Sequence, residues 1–287
     1  MNVSPAMATP SLLEIALFYA EAGVDEVIGE VPVDRTVAPP PRSPAATEAV
    51  AAGAGRPAAG ATPARGAVPP MAMPPAAPAA QQALLSVQAV ESAASEAARA
   101  CRTVPELEAA IRAFEGCALR ATATNTVIAR GNPQAPLMII GEAPGRDEDA
   151  QGLPFVGESG QLLDRMLKAI GRDESNVYIS NILFWRPPGN RDPSAEEIVA
   201  CRPFIERLIE LVQPKVIACA GKHSAATLLG ATGITRIRGR WHEYRRGDLV
   251  IPAMPLLHPA YLLRQPGVKR EAWRDMLSLA EKLEELK

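Results

Sequence analysis

Basic residues are missing from the first 30 positions, which carry Glu14, Glu21, Asp25, Glu26 and Glu30 and no Lys or Arg. The apolar stretch SLLEIALFYA at 11–20 therefore has no cationic flank, and Glu14 interrupts it. It is too short to cross a membrane and lacks the charged start of a secretory signal. A soluble, cytoplasmic protein is expected. Cysteine is scarce as well: Cys101, Cys117, Cys201 and Cys219 are too few and too scattered for a secreted disulfide framework. Aromatics make up only 4 % of the chain. They are absent from residues 38–80, where 17 Ala, 11 Pro and 4 Gly fill 43 positions. Such a segment cannot bury enough apolar surface to offset its chain entropy, and its Pro spacing breaks helices.

Three regions follow. Residues 1–30 contain one short amphipathic helix at 11–28, which suits either a tethered peptide with a protein partner or a dispensable extension. Residues 31–82 read as a disordered Pro/Ala-rich linker. Residues 83–287 read as the catalytic domain.

Within that domain, helical patterns at 83–101 and 104–115 precede four short apolar runs at 137–141, 177–182, 215–221 and 249–257. Helical segments separate the runs. GQLLDRMLKAIG (160–171) puts Leu163, Met166, Leu167 and Ile170 on one face. Ser194 and Glu197 form a capping box for a helix reaching about 212, which Pro203 should kink. Strand and helix in alternation predict an α/β fold with a parallel sheet covered on both faces. In such sheets the ligand lies beyond the carboxyl ends of the strands.

The candidate chemistry stands at those ends. After the first run comes GEAPGRDEDAQGLPFVG (141–157), rich in acids and carrying Phe155. The second run ends at Asn181 and leads into RPPGNRDP (186–193). GKHS (221–224) follows the third and HPAYLLR (258–264) the fourth. Asn181 offers both a donor and an acceptor, as reading a base edge requires, although a turn cap needs the same groups. His258 can donate to a developing anion. Gly221–Ser224 and Gly157–Gly160 open helices whose free N–H groups suit a phosphate. Phe155 offers a flat face for stacking, or a core side chain. Residues 221–270 hold nine Lys and Arg against Glu243 and Asp248, a net of +7, which suits a polyanion. The first loop has acids where a nucleotide phosphate would sit, and no Lys, which argues against a phosphate-binding enzyme.

GEAPGRDED with GLPFVG, YISN with RPPGNRDP, and HPAYLLR together resemble the motifs of family 4 uracil-DNA glycosylases, over roughly residues 104–285. The resemblance implies a three-layer α/β/α sandwich around a four-stranded parallel sheet. It implies a DNA N-glycosylase of base-excision repair that flips uracil from double- or single-stranded DNA and leaves an abasic site. Glu142, Asn181 and His258 are the implied catalytic residues. Ala143, Glu148, Phe155 and Asn181 would bind the base: Phe155 stacks on it, Asn181 pairs with its N3/O4 edge, His258 bonds O2, and Glu148 excludes the thymine methyl. Ser159, Asn190, Lys222, Ser224, Arg238, Arg240, Leu262, Leu263 and Arg264 would contact DNA, the two leucines filling the vacated gap. Ala143 stands where related families place a water-polarising Asp, so the water falls to Glu142 or to a backbone carbonyl. A non-catalytic binder of damaged or abasic DNA is the alternative, as is a glycosylase of broader deaminated-base specificity. A monomer is expected.

The family's four-iron–four-sulfur cluster needs four Cys. Here FEGC puts Phe114 at the first position, and FWRPP puts Trp185 at the third, leaving Cys117 and Cys201. Two thiolates cannot hold such a cluster. No cluster is expected, and Phe114 should pack on Trp185 as an apolar plug. Cys101 could in principle join them, and Cys219 falls inside the third run; even so the ligand set would be irregular.

Overall fold

The computed structural model describes residues 77–286, with side chains from 86. The expected helix at 11–28 and most of the linker lie outside the described residues. The first described helix, α1 (Ala77–Ala100), was expected from 83 and begins six residues earlier. Then come α2 (Val104–Ala113), the short edge strand β1 (Ala129–Gly131), β2 (Leu137–Gly141), α3 (Arg146–Gln151) and α4 (Glu158–Ala169). They are followed by β3 (Val177–Asn181), α5 (Ala195–Val212), β4 (Val216–Ala220) and α6 (Lys222–Leu229). The chain ends with α7 (Ile234–Ile237), β5 (His242–Arg246), β6 (Leu249–Leu256), α8 (Pro259–Arg264) and α9 (Lys269–Glu285).

The four expected strands are β2, β3, β4 and β6, and they run parallel in the order β3-β2-β4-β6. The sheet has six strands rather than four, because β1 pairs antiparallel with β3 and β5 pairs antiparallel with β6. Both additions are edge strands. β1 is three residues long, and β5 reads HEYRR with only Tyr244 buried, so neither carries an apolar run. The two-residue Gly247–Asp248 turn between β5 and β6 is a hairpin signal.

β2, β3 and β4 are buried at every position, as strands covered on both faces must be. Alternate residues serve opposite layers. Leu137, Ile139, Val177, Ile179, Val216 and Ala218 pack with Leu163 and Leu167 of α4 and with Met276, Leu279 and Leu283 of α9. Met138, Ile140, Tyr178, Ile217 and Cys219 belong to the other core, with α1, α2, α5 and α6. α1 lies outside the motif-bearing region, yet buries Ala94 and Ala98 in that core and packs along α5. The expected capping box is formed: Ser194 Oγ accepts from Glu197 N–H at 3.3 Å, and Glu197 Oε2 accepts from Ser194 N–H at 2.8 Å. α5 then runs unbroken past Pro203, where a kink was expected.

Candidate functional site

Parallel pairing brings the strand ends together. Gly141 at the end of β2 is in register with Asn181 at the end of β3. Glu142, Asn181, Phe155 and His258 all line one cleft of ≈ 790 Å³ above these ends. Ala143, Glu148, Ser159, Asn190, Leu263 and Arg264 line it too. Residues not singled out from sequence line it as well, among them Arg186, Arg191 and Asp192. Their signal was a loop with three charged residues hemmed by prolines.

Asn181 is buried at 2 %, and its Oδ1 has no hydrogen-bond partner among the described residues. Gly141 is required beside it: a Cβ there would lie 2.4 Å from that oxygen and 2.5 Å from the Phe155 ring. Glu142 Oε1 accepts from His223 N–H at 2.8 Å, at the start of α6. His258 caps α8: its Nδ1 accepts from Ala260 N–H at 3.1 Å, which leaves the ring proton on Nε2. Desolvation pushes its imidazole below the ordinary histidine range, with help from Arg264, against the opposing pull of Glu142 and Glu148. Its ring stacks on Phe155 at 5.6 Å and 24°.

Phe155 is only 4 % exposed. It has φ +55°, a left-handed conformation that costs a bulky side chain roughly 1–3 kcal/mol. A planar base cannot lie between Phe155 and His258 as they stand, since two stacking gaps of about 3.5 Å would be needed. A base must therefore meet the open side of the phenyl ring or displace the imidazole.

Several predicted roles are corrected. Glu148 lines the cleft, but its carboxylate organises the loop. Its Oε1 accepts from Val156 N–H at 3.0 Å and Gly157 N–H at 2.9 Å, and its Oε2 from Gly145 N–H at 3.0 Å. Of the Gly157–Gly160 amides expected to hold a phosphate, these bonds occupy the Gly157 N–H. Asp149 is similarly internal, receiving Thr124 and Asn125 N–H. Ser224 is fully buried and donates to Ile140 O at 2.6 Å, so it cannot reach DNA. Leu262 is 1 % exposed and packs with Leu257 and Ala272, while Leu263 is 36 % exposed at the cleft.

Nor is the basic stretch one open face. Lys222 pairs with Asp192 at 2.6 Å, Arg245 with Glu243, and Arg246 with Glu206 and Glu210. Arg238 forks onto Asp275, with Nε donating to Oδ2 at 2.7 Å. Arg240 is exposed and has no ion pair among the described residues, but it does not line the cleft. Asp275 is buried at 4 %. Burial pushes its carboxyl up and Arg238 pulls it back. An Arg238→Ala protein, leaving Asp275 without its partner, is expected to lose about 3 kcal/mol of stability by denaturant titration. Its affinity for duplex DNA should be unchanged.

The positions where a four-iron–four-sulfur cluster would need ligands do not fit one. Phe114 meets Phe204 edge-on at 5.0 Å, and Trp185 meets Phe184 at 6.1 Å. Trp185 Nε1 donates to Thr126 Oγ1 at 3.1 Å. The expected Phe114–Trp185 pairing is thus replaced by separate ring partners in one core. Cys117 and Cys201 are both buried as free thiols in one core. The interior there offers two sulfurs and four aromatic rings. Cys101 bonds back to Ala97 O and Cys219 lies inside β4.

The family model described as the uracil DNA glycosylase superfamily matches residues 128–277. A type-4 uracil-DNA glycosylase from Archaeoglobus fulgidus is 40 % identical over 170 residues, covering 58 % of this chain and 85 % of that protein. Proteins of the same name from Sulfurisphaera tokodaii and Thermotoga maritima are 38 % and 37 % identical. They match over 171 and 156 residues, covering 58 % and 54 % of this chain and 78 % and 80 % of their own lengths.

Proposed function

The chain belongs to the uracil-DNA glycosylase superfamily, and from that premise we propose how its cleft excises uracil. The protein is an N-glycosylase that hydrolyses the bond between uracil and deoxyribose in DNA, leaving an abasic site for base-excision repair. The observation that carries the residue assignment is the buried Oδ1 of Asn181, without a partner among the described residues, on a side chain that lines the cleft with Glu142.

The flipped base stacks on Phe155. Asn181 Oδ1 accepts from uracil N3–H, and its Nδ2 donates to O4. Cleavage of the C1′–N1 bond leaves both bonding electrons on the base, whose charge spreads to O2. His258 Nε2–H donates to that oxygen. The positive charge growing on the sugar is stabilised by Glu142. Glu142 Oε1 is held by His223 N–H, so Oε2 is the oxygen that binds the attacking water and takes its proton. We assign the water to this side chain; the Oε2 oxygen left free by the His223 bond supports that choice over a backbone carbonyl. Leu263 fills the space left in the duplex, and Arg264, Arg186, Asn190 and Ser159 meet the backbone around the cleft. Exclusion of thymine by Glu148 works through the loop it braces. We assign catalysis to residues 83–287, acting as a monomer in the cytoplasm.

A duplex with one U·G pair, incubated with the protein and then with alkali, tests the reading. Strand scission at the uracil is expected; a gel shift without scission would mark a binder. Because aromatic rings stand where two cluster ligands would be needed, anaerobically purified protein is expected to contain neither iron nor acid-labile sulfide. Four irons per chain would overturn that.

A further inference from the structure

We propose that Arg130, on the edge strand β1 and not part of the cleft wall, is a positioning residue that fixes Phe155 in its left-handed backbone conformation and so sets the ring that receives the base. The inference rests on the base-stacking role given to Phe155 above. Arg130 is 8 % exposed by its side chain. Its guanidinium joins three segments: it pairs with Asp164 on α4 and with Glu174 ahead of β3, and its Nη2 donates to Phe155 O at 3.3 Å.

The Phe155 carbonyl and the Val156 N–H belong to one planar peptide group. Arg130 holds the first, and Glu148 Oε1 accepts from the second at 3.0 Å. Both ends of the plane are thereby pinned, which sets the torsion that follows the Phe155 Cα. α4 seals the arrangement from below. A Cβ at Gly160 would fall 1.8 Å from Phe155 O, so only glycine lets the helix approach so closely. A strained residue persists only where its surroundings over-determine it. Here the surroundings are Arg130, Glu148 and Gly160, and Arg130 is the one whose charge is anchored from outside the loop. Its own Nε is buried without a partner, so the fork is held for the acceptors at its tips.

A staple that merely joined β1 to α4 would affect stability alike whatever stands at position 155. A double-mutant cycle separates the two roles. Single-turnover excision from a U·G duplex is measured for the native protein, Arg130→Met, Phe155→Ala and the double variant. Arg130→Met is expected to slow excision about tenfold in the native background and not at all in the Phe155→Ala background. Phe155→Ala itself retains measurable turnover, since losing one base–aromatic stack costs roughly tenfold to a hundredfold. Arg130→Lys, which keeps the charge but not the fork, should fall between Met and native; it also stands in for Arg130→Met if that variant fails to fold. Equal slowing in both backgrounds, or no slowing in either, would overturn the positioning role. Excision by the native protein is read in the same series, so failure of the glycosylase reading would be seen separately.

Discussion

Asn181→Ala is expected to lower uracil excision about 10²–10³-fold while leaving the fold as stable as before, or more so. The opposite signs follow from one observation: Asn181 Oδ1 is buried and has no partner among the described residues. An unsatisfied buried acceptor costs the folded state about 1–3 kcal/mol, so truncation removes a penalty rather than a bond. On the proposed assignment, uracil N3–H satisfies that same oxygen in the complex, and the amide nitrogen follows the charge growing on O4. Cytosine presents an acceptor at N3 and a donor at N4, so both contacts become like-with-like. A buried polar site of this kind rejects the mismatched partner by roughly 10⁴–10⁵. In the alanine variant the gap between uracil and cytosine should shrink because the uracil rate falls. Excision rates on U·G and C·G duplexes, set beside the denaturation midpoint, check both halves. Unchanged uracil excision would remove Asn181 from the mechanism. A large loss of stability would mean that its oxygen has a partner in the folded protein.

The candidate residues that line one cleft share a physical origin. Glu142, Asn181 and His258 each stand just beyond, or at the end of, a short apolar run. Runs of that kind are what a parallel sheet buried on both faces demands. Once the runs are aligned, the strand ends converge whatever the loops do. The edge strands were invisible because an edge has one open side: HEYRR needs only Tyr244 to be apolar. Charges were the least legible feature. Whether Arg238 meets a phosphate depends on Asp275, 37 residues away, and whether Lys222 is free depends on Asp192, 30 residues before it. Nothing local distinguishes these arginines and lysines from Arg264. The choice between Leu262 and Leu263 is one of helical phase: neighbours on α8 point about 100° apart, and only one can enter the core. The acid-rich turn held a similar ambiguity. Glu142 follows β2 and Glu148 sits six residues on, in α3. One receives a single backbone N–H, while the other receives three.

His258 is expected to act as a neutral donor, and the pH profile distinguishes this from an imidazolium. Nδ1 accepts from Ala260 N–H, so a proton there would face another proton. Desolvation, the largest influence on the ring, lowers its affinity for a proton. With the folded value below the ordinary one of about 6.5, the neutral form dominates at pH 7 and above. The single-turnover rate should therefore hold level from pH 7 to about 8.5 and fall only on the acid side. A cationic donor predicts the reverse, a tenfold loss per pH unit as the ring gives up its proton. The same shift makes the group's contribution to stability present above the unfolded value and lost as pH falls through the folded one. His258→Ala removes the only side-chain donor assigned to O2 and should cost about 10²–10³-fold in the chemical step. It also removes the cap of α8, worth about 1 kcal/mol, so the stability loss is small beside the kinetic one. His258→Gln, which restores an N–H, should recover part of the rate. Equal rates for the alanine and glutamine variants would show that the imidazole serves to cap the helix and support Phe155, and that the departing base draws its stabilisation from Asn181 and the cleft alone.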